Sequence, residues 1–238
     1  MHKLIRYYSV VGLIMGNYVS LDQEQFAGST LVAPNPFYGH TGQLALDLWL
    51  NDPSQGFRKV GWLLSPHLAP RTGSAPLDWM SASELAHPVE LYCNGHFTVL
   101  QIRSQVSTED VRQLLKDLWA WTAPRAFSAV VVLSTNLVLT RAVPEGEKAF
   151  CLKSRNCSLH LDVPEYEPDE RLRELLRAED VPGSLLESPP LPFLLLFSSA
   201  LRLFDFEGAR DLLEVLSTNW HFSLPSVWPQ ACEPLRTS

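Results

Sequence analysis

Ala129-Val130-Val131-Val132-Leu133 is an unbroken apolar run with three β-branched residues at its centre. Such a run has no polar side to show to water, so it reads as a central strand covered on both faces. A sheet of that kind needs helices packed against it. The residues upstream supply one. Val111, Leu114, Leu115, Leu118 and Trp119 recur at helical spacing, with Ser107 as the expected cap and Asp110 where a capping box places its acid. Before them, Val89-Glu90-Leu91-Tyr92-Cys93 and His96-Phe97-Thr98-Val99-Leu100-Gln101-Ile102 flank Asn94-Gly95. Asn-Gly tolerates the positive φ of a two-residue type I′ turn, so the pair reads as a hairpin.

Working outward, residues 59–64 form a buried strand around Val60, Trp62 and Leu63. Residues 29–33 form another, stopped by Pro34 and Pro36. Gly39-His40-Thr41-Gly42 opens a helix in which Leu44, Ala45 and Leu48 share a face. Residues 65–77 are a proline-rich loop. Downstream, 140–187 is irregular, with a mixed-charge helix expected at 169–177 and ended by Pro182-Gly183. Two closing helices are expected. One, at 191–203, is apolar nearly all round, and the other carries its stripe on Phe206, Ala209, Leu213 and Leu216. Alternating strands and helices give an α/β fold, a layered sheet flanked by helices. Residues 1–22 read as an N-terminal extension and 23–238 as a single α/β domain.

The 238 residues carry a net charge of −7 with the basic residues scattered, which argues against nucleic acid as the ligand. Four cysteines, Cys93, Cys151, Cys157 and Cys232, show no disulfide framework, so reduced thiols in an intracellular compartment are expected. Lys3 and Arg6 precede an apolar stretch at 7–15 that imitates a secretory signal. Ser9 and Gly12 interrupt it and no small-residue cleavage site follows. The apolar run at 191–204 is broken by Ser198, Ser199 and Arg202 and is too short to span a bilayer, so no membrane is expected.

The motifs of nucleotide, phosphate, zinc-protease and hydrolase chemistry are absent, so no catalytic residue and no cofactor is expected. Cys93-x-x-His96 flanks the hairpin turn and lacks a second ligand pair. Cys151, Cys157 and His160 fall equally short, and no metal is expected. Asn156-Cys157-Ser158 is a glycosylation sequon that matters only in a secreted chain. Gly39 and Gly42, placed before a helix, form the one small-molecule candidate, because helix N-termini bind anions through free N–H groups. The alternative function is therefore a nucleotide- or phosphate-binding α/β enzyme using the Gly39–Gly42 loop. The competing explanation is that Gly42 lets the helix approach the sheet.

Phe26-Ala27-Gly28-Ser29-Thr30-Leu31-Val32-Ala33-Pro34, followed by Gly39-His40-Thr41-Gly42-Gln43-Leu44-Ala45-Leu46-Asp47-Leu48, resembles the opening of the proteasome assembly chaperone 2 family. Lys59-Val60-Gly61-Trp62, Glu90-Leu91-Tyr92, the run from Val99 to Ser104 and Val131-Val132-Leu133-Ser134 extend the resemblance, as do Val181-Pro182-Gly183 and Pro225-Ser226-Val227-Trp228. Gly39, Gly42, Gln43 and Asp47 match the family's signature loop and helix. Residues 1–22 have no counterpart and 144–179 match poorly. Pro234-Leu235-Arg236-Thr237-Ser238 is not the hydrophobic-Tyr-x tail by which chaperones of this group dock between α subunits.

The resemblance implies a fold similar to that of the nucleoside phosphorylases, without enzymatic activity. It implies a heterodimer with proteasome assembly chaperone 1 in cytoplasm and nucleus. That heterodimer would hold core-particle α subunits during assembly of the α-ring and prevent off-pathway ring dimers. A partner must bury apolar surface somewhere. Leu191, Phe193, Leu194 and Phe197, on the expected 191–203 helix, are the candidate interface, with the helix at 39–50 as a second possibility.

Overall fold

The computed structural model describes residues 17–20, 26–35, 40–68, 73–74, 77, 80, 85–104, 106, 110–135, 147–166, 191–198 and 206–224. In chain order the elements are β1 (Asn17–Ser20), β2 (Thr30–Pro34), α1 (Thr41–Leu50), β3 (Arg58–Leu64), β4 (Gly73–Ser74), β5 (Leu85–Ala86), β6 (Val89–Cys93) and β7 (Phe97–Ile102). They continue with α2 (Val111–Thr122), β8 (Ala129–Thr135), β9 (Ala149–Lys153), β10 (Phe193–Ser198) and α3 (Phe206–Trp220). Eight strands form one sheet in the order β1-β3-β6-β7-β2-β8-β10-β9, while β4 and β5 make a small separate ribbon.

The sheet is mixed for a reason visible in its connections. Strands β7, β2, β8 and β10 run parallel at its centre. The hairpin partner β6, then β3 and β1, continue antiparallel on one side, and β9 is antiparallel on the other. β8, the apolar run at 129–133, lies between β2 and β10, with all but one of its residues buried. β1 adds an edge strand from within the segment 1–22.

Alternation along the central strands sends side chains to opposite faces. Val32, Val131, Leu133, Leu194 and Leu196 enter a core with α1 and α3. Leu31, Val130, Leu195, Phe193 and Phe197 enter a second core with α2. Trp49 fastens α1 to α3 and to the sheet, edge-on to Phe57 at 5.1 Å and stacked on Phe222 at 4.7 Å. α2 sits more loosely. Leu115, Leu118 and Trp119 are only partly buried and, with Leu31, Ala33 and Val132, line an apolar groove beneath the helix.

Two expectations are corrected. The 191–198 stretch is not a helix but the strand β10, paired with β8 and β9. A continuous apolar run fits a buried helix or a buried strand equally. Phe193, Leu194 and Phe197 are fully enclosed by this chain, so they offer no surface to a partner; Leu191, just ahead of the strand, is half-buried. The hairpin is present, but its central residues are Gly95 and His96, with positive φ (92°) at Gly95 alone. An I′ turn needs positive φ at both central residues, so this is not one. The Asn94 side chain explains the shift by accepting from the N–H groups of His96 and Phe97.

Ser107, the 169–177 helix, Pro182-Gly183 and the 225–238 stretch lie outside the described residues. No helix among the described residues is long and apolar enough to cross a membrane.

Candidate functional site

The signature residues converge on the contact between α1 and the β6–β7 hairpin. Gly39 lies outside the described residues. Gly42 is pressed against the sheet, where an added Cβ would stand 2.4 Å from the carbonyl oxygen of Leu133 on β8. Close approach, not an unusual backbone angle, is what this glycine provides.

Gln43 and Asp47 are four residues apart and share one face of α1. The Gln43 side-chain NH2 donates to the Ile102 carbonyl at 2.6 Å, and its oxygen accepts from His40 Nδ1 at 2.6 Å. Gln101 on β7 donates to both the Gln43 carbonyl and Asp47 Oδ1. Arg103 grips Asp47 with two nitrogens, at 2.8 and 3.2 Å, and sends Nε to Glu90 Oε2 at 2.6 Å.

Glu90 is the centre of the network. Its side chain is fully enclosed, an unusual place for a carboxylate unless it is paired. Lys59 Nζ reaches Oε1 at 2.5 Å, the His87 main-chain N–H reaches the same oxygen at 3.1 Å, and the Tyr92 hydroxyl donates to Oε2 at 2.8 Å. Strand geometry puts these groups together. Glu90 and Tyr92 alternate onto the α1 side of β6, and Gln101 lies opposite Glu90 in the register.

The electrostatics follow from this crowding. Burial pushes the Glu90 carboxyl towards neutrality, but hydrogen bonds from Lys59 and Arg103 and their charges outweigh it and hold the group below the ordinary range. Burial likewise opposes the charge on Arg103, and Asp47 more than reverses that, so the guanidinium is firmly protonated. The Tyr92 phenol is raised by burial and then by Glu90. His87, stacked on Trp62 at 4.2 Å between centroids, is lowered by burial and by Lys59. Each acid in the network is engaged by a base, so the network holds the elements together.

The cysteines lie elsewhere. Cys93 and Cys151 are buried and Cys157 half-buried, all as free thiols. Burial pushes the Cys151 thiol up to about 11. Among the described residues no group of three or more His, Cys, Asp or Glu side chains is placed to hold a metal. Lys59, Glu90, Gln101 and Arg103 were not singled out from the sequence as site residues. The signal was present, because Glu90 and Gln101 are long polar side chains within strands that are largely apolar.

No protein-family model matches the sequence. Among curated proteins, proteasome assembly chaperone 2 of Xenopus laevis is 31% identical over 121 residues, covering 49% of this chain and 46% of that protein. The protein of the same name from Danio rerio is 30% identical over 114 residues, covering 46% and 43%. The chain resembles proteasome assembly chaperone 2. It spans just under half the length of those chaperones.

Among solved structures, Pyrococcus furiosus PbaA, described as an archaeal homolog of proteasome-assembly chaperone, superposes with a TM-score of 0.60 at 13% identity, covering 87% of this chain and 86% of that one. PbaB of the same organism, described as an archaeal proteasome activator, gives 0.57 at 13% identity, covering 88% and 90%. At such identities the superpositions establish a shared fold, the layered α/β sheet of the assembly-chaperone structures.

Proposed function

We propose that this chain is a proteasome assembly chaperone, a binding protein and not an enzyme. It pairs with proteasome assembly chaperone 1 in cytoplasm and nucleus. The pair holds α subunits while the α-ring of the core particle forms, and it prevents off-pathway ring dimers. The observation that carries this reading is the joint one of sequence and fold. Similarity to proteins named proteasome assembly chaperone 2 coincides with an assembly-chaperone fold over most of the chain. The α1 network supports it, because its charged groups are matched to one another and build a rigid scaffold, which a binding surface needs. The parallel strands keep both faces covered, and the partner's surface lies outside β10.

The test is affinity purification of the tagged full-length chain from cells, with the bound proteins identified by mass spectrometry. Proteasome assembly chaperone 1 and core-particle α subunits are expected together, and depletion of the chain should leave ring dimers in native gels. Recovery of a folded chain with neither class of protein would refute the proposal.

A further inference from the structure

His67 sits in the turn after β3, which the Leu68 N–H closes on the Ser65 carbonyl. The Ser65 hydroxyl braces the turn by accepting from the His67 main-chain N–H at 3.2 Å, and Leu68 is anchored in the core on the α2 side of the sheet. The ring is thereby held against α2. Its Nδ1 lies 3.0 Å from Asp110 Oδ1 and its Nε2 lies 3.8 Å from Asp117 Oδ2. Residues seven apart share one face of a helix, so a single imidazole spans two turns of α2.

Among the described residues, the ion-pair partners of this ring are Asp110 and Asp117, both contributed by α2 and the residue at its start. The other Asp117 oxygen accepts from Gln113 at 3.2 Å. Asp110 occupies the N-cap position of α2 but makes no side-chain cap bond, and its Oδ1 faces His67 instead.

Proton inventory decides what this bridge can do. An ionised carboxylate only accepts, so each ring nitrogen needs a proton of its own. A neutral imidazole has one. Placed on Nδ1 it serves the nearer Asp110, and the Nε2 lone pair is left facing a carboxylate oxygen. An imidazolium has two, and its charge attracts both acids. We propose that His67 is a pH-sensitive tie on α2. Protonated, it bridges Asp110 and Asp117 and holds the helix down on the sheet; neutral, it holds Asp110 alone, and α2 opens more readily above its apolar groove. The folded chain gains the second contact only with the protonated ring. The tie is therefore complete below the range in which histidine titrates and is lost as pH rises through it. Carboxylates ordinarily titrate well below that range. The tie does not depend on the assembly role.

The experiment is amide hydrogen exchange of the full-length chain at about pH 5.5 and about pH 7.5, on either side of the histidine range. Results are expressed as protection factors, which divide out the intrinsic pH dependence of exchange. Protection of the α2 amides should be about two- to fivefold higher at the lower pH, the span expected of a part-exposed ion pair. His67→Asn keeps a donor in the place of Nδ1 and cannot titrate, so the pH dependence should disappear. Asp117→Ala should shrink it. Equal α2 protection at the two pH values in the unmodified chain would overturn the proposal without recourse to any variant. So would a folded His67→Asn or Asp117→Ala chain that keeps the parent's full pH dependence.

Discussion

Replacing Glu90 by Gln keeps the shape of the side chain and removes its charge at the centre of the α1–hairpin contact. The Glu90 side chain is fully enclosed, and those of Lys59 and Arg103 are 7% and 17% exposed. Arg103 would keep the Asp47 carboxylate, but Lys59 would keep only neutral acceptors, the Leu85 carbonyl, His87 Nδ1 and the new amide oxygen, with no counter-charge. Stranding a buried charge in this way costs about 3–5 kcal/mol, and Arg103's second partner places the expectation at about 3. For a chain of this size each kcal/mol lowers Tm by about 2–4 °C, so a loss of about 6–12 °C is expected.

Urea unfolding at pH 7 is the assay, with pH as the internal check. The folded-state pKa of Glu90 is depressed, so its contribution is complete above the unfolded value, about 4.3, and is lost as pH falls through the folded value. The gap between parent and variant should therefore be widest near neutrality and close in acid. Adding Lys59→Met should return part of the loss, because no stranded ammonium remains. A variant within about 1 kcal/mol of the parent at pH 7 would mean that water enters the network, and the argument for a rigid clamp would fail.

Three further outcomes follow from geometry. Gly42→Ala should destabilise by about 1–3 kcal/mol or more in chemical denaturation, since α1 must move away from the Leu133 carbonyl. Ala126 is held at a φ of 50°, so Ala126→Gly should be neutral or stabilising by up to about 1 kcal/mol, although the same change in an ordinary loop is destabilising. Leu194→Asp should abolish soluble folded protein as judged by circular dichroism, because its position is the middle of the sheet. A folded Leu194→Asp protein that merely lost its partner would restore the surface that the sequence suggested.

The central strand, the hairpin, α2 and α3 were legible because each has a single period and a single environment. β10 was not, because full enclosure erases periodicity: a strand covered on both faces and a helix covered all round present the same apolar letters. Its misassignment carried the candidate interface with it, since Phe193, Leu194 and Phe197 were valued for apolar surface that the sheet had already consumed. The turn type failed for a smaller reason. Asn94 serves as acceptor for two N–H groups, so the positive φ falls only on Gly95. Gln43 and Asp47 were noticed as a pattern, but their partners on β7 and just beyond it are 54 to 59 residues away in sequence. No local spacing reveals such a pairing.

The clamp on α1 sets the order in which the molecule can come apart. Lifting α1 exposes Asp47 and unpairs Arg103, which in turn loosens Glu90 and the β3–β6 contact, so helix and hairpin open as one cooperative unit. Among the described residues α2 is tied by the half-buried His67, which contacts Asp110 at 3.0 Å, and much of it rests on partly buried side chains above an apolar groove. The two faces of the sheet thus differ in the cost of breathing: the α2 side yields first, and the α1 side holds until the sheet itself gives way.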